Sequence, residues 1–221
     1  MIKKQGLYDP QNEHDACGVG LVANIDGHRT HQIVHEGVEI LQHLVHRGAL
    51  GGDQKTGDGA GMLVQIPHTF FFEECEKLGF SLPKAGTYAV GMLFVPLDEE
   101  KREKSYSIIK QEIEKEKGVI LGWRDVPVAP DCLGFLARDV MPYVGQGFVS
   151  FSGYEGDELE RKVFIARKCI EKAAFAEGFT IDDFYIPSFS STTIVYKGMF
   201  VAPQFEAFYP DVADRRFDSA F

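Results

Sequence analysis

Alternating strand and helix signals along the 221 residues predict one mixed unit of the α/β or α+β class. Three observations carry that prediction. Apolar residues switch repeatedly between a step of two and steps of three and four. No Pro/Ser-rich linker, internal repeat or low-complexity tract divides them. A content of 44% hydrophobic and 25% charged residues matches an ordinary globular protein long enough to bury a core.

Residues 18–25 read as the first strand, with Asp26-Gly27 as its turn. Thr30 is placed to cap a helix running to about Val45, with Ile33, Val34, Val38, Leu41, Leu44 and Val45 on one broad face. Gly37 interrupts that helix at a cost of up to about 1 kcal/mol relative to Ala, which points to close packing there. A glycine-dense stretch over 48–61 follows, then a strand over 62–66 and a helix after Pro67. Residues 87–95 alternate as a strand, and the charged run 98–117 is a helix whose inner face carries Tyr106, Ile109 and Ile113. Residues 119–128 are extended and broken by Pro127 and Pro130. A further strand covers 148–151. The clearest helix spans 157–177, with Leu159, Val163, Ala166, Ile170 and Ala173 on its inner face. Residues 185–186 and 192–196 read as strands, and 214–221 as the start of an element, stopping at Ser219-Ala220-Phe221 without a cap or turn.

The formal net charge of -10 disfavours nucleic acid or an anionic membrane as partner. No apolar run is long enough for a bilayer, and the first residues lack the apolar centre of a signal peptide, so a cytoplasmic protein is expected. Cys17, Cys75, Cys132 and Cys169 form no C-x-x-C pair, which argues against a disulfide framework or a structural zinc and suits a reducing compartment. Cys75 and Cys169 fall in helical patterns and should pack; Cys132 has no evident chemical partner.

Cys17 opens the run Asp15-Ala16-Cys17-Gly18-Val19-Gly20. Were the Ala16–Cys17 bond cut, an α-amine of pKa about 7.7–8.0 would sit beside a thiol of about 8.5, so one residue would supply both nucleophile and base. The plain alternative is a buried cysteine at the start of a strand. Arg47, in His46-Arg47-Gly48-Ala49, either ends the helix as basic residues and Gly do, or turns into a pocket to pair with a carboxylate. The glycine-rich stretch after it matches neither phosphate-loop pattern and precedes a strand, so Gly57, Gly59 and Gly61 are expected to allow unusual backbone angles or close approach, and Asp58 to form a turn. His28, His31, His35, His43 and His46 are crowded but show no H-E-x-x-H, so no metal site is expected and most should be solvated. The hydroxyls of 188–193 should bond to backbone at a strand edge.

Taken together, Leu7-Tyr8-Asp9-Pro10, Glu13-His14-Asp15-Ala16-Cys17-Gly18-Val19-Gly20, His46-Arg47-Gly48-Ala49, the run 53–61, Gln65-Ile66-Pro67-His68, Gly134-Phe135-Leu136-Ala137-Arg138 and Thr193-Ile194-Val195-Tyr196-Lys197-Gly198-Met199 closely resemble the class II glutamine amidotransferase domains of glutamate synthase large subunits. The resemblance covers essentially the whole chain. It implies an α+β fold, a four-layer αββα sandwich of the N-terminal-nucleophile hydrolase type, with a propeptide over 1–16 and the N-terminal part of the amidotransferase domain over 17–221. It further implies Cys17 as the nucleophile that attacks the amide of L-glutamine, and Arg47 and Gly48 at the substrate pocket. No cofactor is implied for this chain; FMN, an iron-sulfur cluster and 2-oxoglutarate belong to the synthase domain that would receive the ammonia.

The family continues into a His-x-Arg-[Phe/Tyr]-Ser-Thr segment and a His-Asn-Gly segment that supplies the oxyanion hole. Here the asparagines are Asn12 and Asn24, and neither precedes Gly. The sandwich is therefore expected to be incomplete, truncated at its C-terminus with an unpaired sheet edge, and the 221 residues alone to have little glutaminase activity. The alternative is a non-catalytic structural or regulatory module that keeps the fold and associates with a synthase partner.

Overall fold

Two antiparallel sheets organise the chain, and the computed structural model describes residues 18–45, 50–53 and 55–221 of it. The larger sheet runs in the order β3-β4-β2-β5, with β2 Ala89–Val95, β3 Gly118–Asp125, β4 Tyr143–Phe151 and β5 Tyr185–Ser190. The smaller pairs β1 Ala60–Gln65 with β6 Thr193–Gly198, placing Met62 opposite Tyr196 and Val64 opposite Ile194.

Period-two alternation sends the central strands into two separate cores. Ala89, Leu93 and Val95 of β2, with Val149 and Phe151 of β4, pack under α3 Glu99–Lys115 and α5 Gly156–Ala176. Those helices contribute Ile108, Ile109 and Ile113 from α3 and Leu159, Val163, Ala166 and Ile170 from α5. Val90 and Met92 of β2, with Val144 and Phe148 of β4, face the other core. There they meet β1, β6, α1 His31–His43 and α2 His68–Lys77, together with aromatic residues from 200–217. This mixed arrangement of two antiparallel sheets is the one the resemblance implies.

A polar cluster is sealed inside the aromatic core. The Arg124 guanidinium donates to both oxygens of Asp211 at 2.7 and 2.8 Å and to Gln146 Oε1 at 3.0 Å. Tyr196 Oη donates to Asp211 at 2.8 Å and accepts from Gln146 Nε2 at 2.9 Å. The cluster ties β3 and β4 to β6 and to α7 Pro210–Ala213. All four side chains are buried, so each donor and acceptor needs its partner here. Burial works against the Arg124 charge, but its bonds to Asp211 outweigh this and raise its pKa.

Local expectations hold where a cap or a clear period exists. Thr30 Oγ1 accepts from Ile33 N at 3.4 Å and starts α1; Asp98 accepts from Lys101 N at 2.9 Å and starts α3. A Cβ on Gly37 would lie 2.8 Å from Met62 Sδ, which is the close packing its presence predicted.

Two expectations are corrected. Residues 18–25 join no ladder; Val19, Leu21 and Ile25 are exposed, and the stretch meets the rest of the fold through Asn24 N to Ala220 O at 2.8 Å. Its turn does form, with Asn24 Oδ1 accepting from Asp26 N and His28 N and Gly27 at φ +72°. A strand is made by its partner, and alternation alone cannot supply one. β4 begins at Tyr143 rather than 148, because Gly145 and Gly147 break its apolar pattern to admit the Tyr106 hydroxyl and the Trp123 ring, each of which a Cβ would approach to 2.7 Å. Residues 202–213 form the short helices α6 Phe205–Phe208 and α7. The tail beyond them bridges Ser219 to Thr30 and hydrogen-bonds Gln65.

Candidate functional site

The glycine-rich stretch closes on itself before it reaches β1. Leu50 bridges Gly57, and Gly51 N donates to Thr56 O at 2.7 Å. Gly57 packs so tightly that a Cβ would lie 2.7 Å from the Phe200 carbonyl, and Gly61 would bring one within 2.6 Å of Lys197 Cβ. Gly59 has φ +132°, a conformation open mainly to glycine. Close approach and unusual angles are thus what these glycines provide, as expected.

Beside this loop lies a cleft of about 1250 Å³. Its walls include the end of α1 (Leu41, Leu44, Val45), the loop residues Asp58 and Gly59, and Leu63 of β1. Val195 and Lys197 of β6 and Ala137 and Val140 close it on other sides. Asp58 sits exposed at a bend and lines the cleft. Lys197 Nζ donates to Tyr185 Oη at 2.9 Å and sits 4.4 Å over its ring, an ammonium held at the wall by both contacts.

Cys17, Arg47 and Gly48 lie outside the described residues. Gly18, which follows Cys17, and Val45, which precedes the segment 46–49, both line the cleft.

Two of the other cysteines, Cys75 and Cys132, are poor nucleophiles. Burial pushes the Cys75 thiol up to about 12, so at neutral pH a fraction on the order of 10⁻⁵ is thiolate. Burial also raises the Cys132 thiol, which donates to Ala129 O at 3.1 Å. Cys169 lies in α5, its thiol 4.0 Å from Glu116 Oε1.

Among the described residues no group of three or more His, Cys, Asp or Glu side chains is arranged to hold a metal ion. The histidines instead join structural contacts: His31 Nδ1 bonds the Phe217 carbonyl at 2.9 Å, and His35 pairs with Glu39 at 3.6 Å. His28, His35 and His43 are exposed, as expected of most of these side chains, and His31 is half-buried. The Ser/Thr stretch behaves as expected in part. Ser188 Oγ accepts from Val195 N at 3.0 Å and Ser190 Oγ from Thr192 N and Thr193 N at 3.0 and 3.1 Å, while Ser190 and Ser191 also donate to Glu160 on α5.

One feature of the cleft wall escaped the sequence reading. The Asp53 carboxylate accepts from Thr56 N and Thr56 Oγ1, both at 2.7 Å, from Lys55 N at 3.1 Å and from Leu136 N at 3.2 Å. Thr56 Oγ1 in turn accepts from Ala137 N at 3.2 Å. Leu136 and Ala137 belong to the first turn of α4 Phe135–Asp139, whose N-cap, Gly134, has no side chain to cap it. The Asp-x-x-Thr spacing signals the local turn. Nothing in it points to α4.

Residues 17–221 match the family described as glutamine amidotransferases class-II. The chain is 47% identical to the large chain of the NADPH glutamate synthase of Bacillus subtilis (strain 168), over 100% of this chain and 14% of that protein. It is 42% identical to the corresponding chain of Azospirillum brasilense, over 97% of this chain and 14% of that one. A chloroplastic ferredoxin-dependent glutamate synthase 2 of Arabidopsis thaliana is 39% identical over 100% of this chain, again 14% of its own length. The chain thus spans about 14% of the length of the curated relatives it matches. No described helix is long and apolar enough to cross a membrane.

Proposed function

The chain belongs to the class II glutamine amidotransferases, and from that premise we propose that it is the glutamine-hydrolysing part of a glutamate synthase, acting through Cys17. The observation that carries the reading is that the family match begins at residue 17, the cysteine itself. In this reading residues 1–16 are a propeptide, and cleavage after Ala16 gives Cys17 a free α-amine. That amine takes the thiol proton, a transfer between groups of similar ordinary pKa.

The thiolate then attacks the side-chain amide carbon of L-glutamine, and the carbonyl electron pair moves onto oxygen. Collapse breaks the C–N bond; the leaving nitrogen takes the proton back from the α-ammonium and departs as ammonia. A γ-glutamyl thioester remains. Water, giving a proton to the same amine, adds to the thioester carbon, and the second collapse releases glutamate and returns the proton to sulfur. Glutamine and water become glutamate and ammonia, with no cofactor in this chain. Arg47 is assigned to a carboxylate of the substrate, which a planar guanidinium grips with two parallel bonds, and Gly48 to the pocket rim.

Two features of the fold support this assignment. The described neighbours of Cys17 and of the segment 46–49 line one cleft. Cys75, the most buried of the described thiols, is held protonated. The ammonia is proposed to pass to a synthase domain, the partner that uses FMN, an iron-sulfur cluster and 2-oxoglutarate. The oxyanion donor is assigned to a His-Asn-Gly segment, which these 221 residues do not contain, so the activity is proposed for the full-length protein rather than for this stretch alone. The free thiols of Cys75, Cys132 and Cys169 suit the cytoplasm as its setting.

The test is made on the full-length protein. Its mass should place the mature start at Cys17, a glutamine-analogue electrophile should label that residue, and Cys17→Ala should lower glutamate release from glutamine by at least about 10⁴-fold. An intact Met1 with an unreactive Cys17 overturns the reading in favour of a non-catalytic module.

A further inference from the structure

Two walls of the cleft are joined by a polar clamp that belongs to neither wall alone. One wall is the glycine-rich loop, which brings Asp58 and Gly59 to the cleft; the other is α4 and the residue after it, which bring Ala137 and Val140. Asp53 and Thr56 reach from the loop to the first turn of α4 and accept from Leu136 N and Ala137 N. A helix must satisfy its first backbone N–H groups from outside, and here a distant loop does so in place of the N-cap side chain. Gly134 leaves the room: a Cβ there would lie 2.3 Å from Asp53 Oδ2 and 2.5 Å from Thr56 Oγ1.

The clamp is built for a carboxylate rather than for a neutral side chain. Both Asp53 oxygens accept two bonds each. Asparagine would turn one acceptor into a donor facing another donor. Desolvation opposes ionisation of Asp53, but the donors from Thr56, Lys55 and Leu136 outweigh it and hold its carboxyl well below the usual carboxylate range. Thr56 is itself buried, so its hydroxyl depends on these partners.

The clamp also governs what the loop holds on either side. Downstream, Gly57 is wedged against the Phe200 carbonyl, and the chain then passes directly to Asp58 and Gly59 on the cleft wall. Upstream, Gly57 bridges Leu50 and closes the loop on itself.

We propose that Asp53 and Thr56 are positioning residues for glutamine: they lock the glycine-rich loop to α4 and so set the width of the cleft. The proposal rests on the function assigned above. Neither residue lines the cleft itself, so their loss should weaken substrate binding more than it slows bound substrate.

The experiment measures kcat and KM for glutamine in the full-length protein carrying Asp53→Asn, Thr56→Val, Thr56→Ser or Gly134→Ala, with Cys17→Ala as the reference for chemistry. Asp53→Asn, Thr56→Val and Gly134→Ala should raise KM about tenfold while kcat stays within about threefold; Thr56→Ser, which keeps the hydroxyl, should stay within about twofold of the parent in both. Hydrogen exchange should quicken at the Thr56, Leu136 and Ala137 amides in the first three variants and not in Thr56→Ser. Unchanged KM in the first three variants, with Cys17→Ala inactive, overturns the clamp and leaves the assigned function standing. A fall in kcat matching lost folded protein, with KM unchanged, also overturns it, as does a Thr56→Ser variant as impaired as Thr56→Val. Full glutaminase activity in Cys17→Ala instead overturns the function itself.

Discussion

The two sheets differ in how they treat their faces. β2, in the centre of the larger sheet, is buried on both sides, with Val90 and Met92 turned to one core and Ala89, Leu93 and Val95 to the other. β1, in the smaller sheet, buries Val64 at 2% exposure beside Leu63 at 50%. Leu63, Val195 and Lys197 open on the cleft. The larger sheet is covered on both faces at its centre and reaches the cleft only through residues such as Phe94 and Tyr185, whereas the smaller turns Leu63, Val195 and Lys197 to the place where chemistry is assigned. Stability and function are thereby separated by the period-two geometry of a strand, in which neighbouring residues serve opposite sides.

The sharpest way to break this division is to attack the polar cluster that joins the sheets. Asp211→Ala should destabilise the protein by about 3–5 kcal/mol in urea unfolding, because it leaves the Arg124 guanidinium buried without its carboxylate. Arg124→Met combined with Asp211→Leu should cost less than Asp211→Ala alone, since no charge is then stranded. Equal losses would mean that the cluster does not hold the sheets together as a pair.

Adjacent residues of β1 test the same contrast on a smaller scale. Val64→Ala should cost about 2 kcal/mol, from lost burial and the cavity left behind. Leu63→Ala should change stability by no more than about 0.5 kcal/mol while altering glutamine KM. If both substitutions destabilise alike, the smaller sheet is no more open than the larger.

The buried thiol of α2 gives the smallest effect and a pH signature. Cys75 is fully buried, and its pKa is pushed up from 9.0 to about 12. Above pH 9 the unfolded thiol releases its proton while the folded one keeps it, so the unfolded state gains and stability falls. The slope is about 1.4 kcal/mol per pH unit once the unfolded thiol is fully ionised, and the effect ends as pH passes the folded pKa. Between pH 9 and 10, before the buried tyrosines add their own contribution, stability should fall less steeply in Cys75→Ala than in the parent. Parallel slopes would show that this core admits the thiolate.

Much of this was legible in the sequence. The helices α3 and α5 announce themselves by charged outer faces and apolar residues at steps of three and four, and Thr30 and Asp98 mark helix starts through hydrogen bonds spanning only three residues. Gly37, Gly57 and Gly61 signalled close approach because only the absence of a side chain permits it. Residues 18–25 were misleading for the opposite reason: their alternation promises a strand, but pairing depends on residues far along the chain. β4 was read too short because Gly145, Gln146 and Gly147 look unlike a buried strand until the Tyr106 hydroxyl, the Trp123 ring and the polar cluster around Arg124 are seen to need those positions. The candidate nucleophile and substrate residues came from ordered motifs, whereas the second half of the Asp53 clamp, on α4, left no local trace.

By itself, then, the sequence determined the periods, the caps, the positions where only glycine fits, the family, and the presence of a cysteine at the point where the family match begins. Each depends on the identity of a residue and its near neighbours. Only the tertiary structure decided that Asp53 meets α4, that Asp211 meets Arg124, and that Leu63 faces a cleft while Val64 faces a core. Those outcomes are set by burial and by distances of a few ångströms between residues remote in sequence, and such contacts gain their energy only when the whole chain has packed.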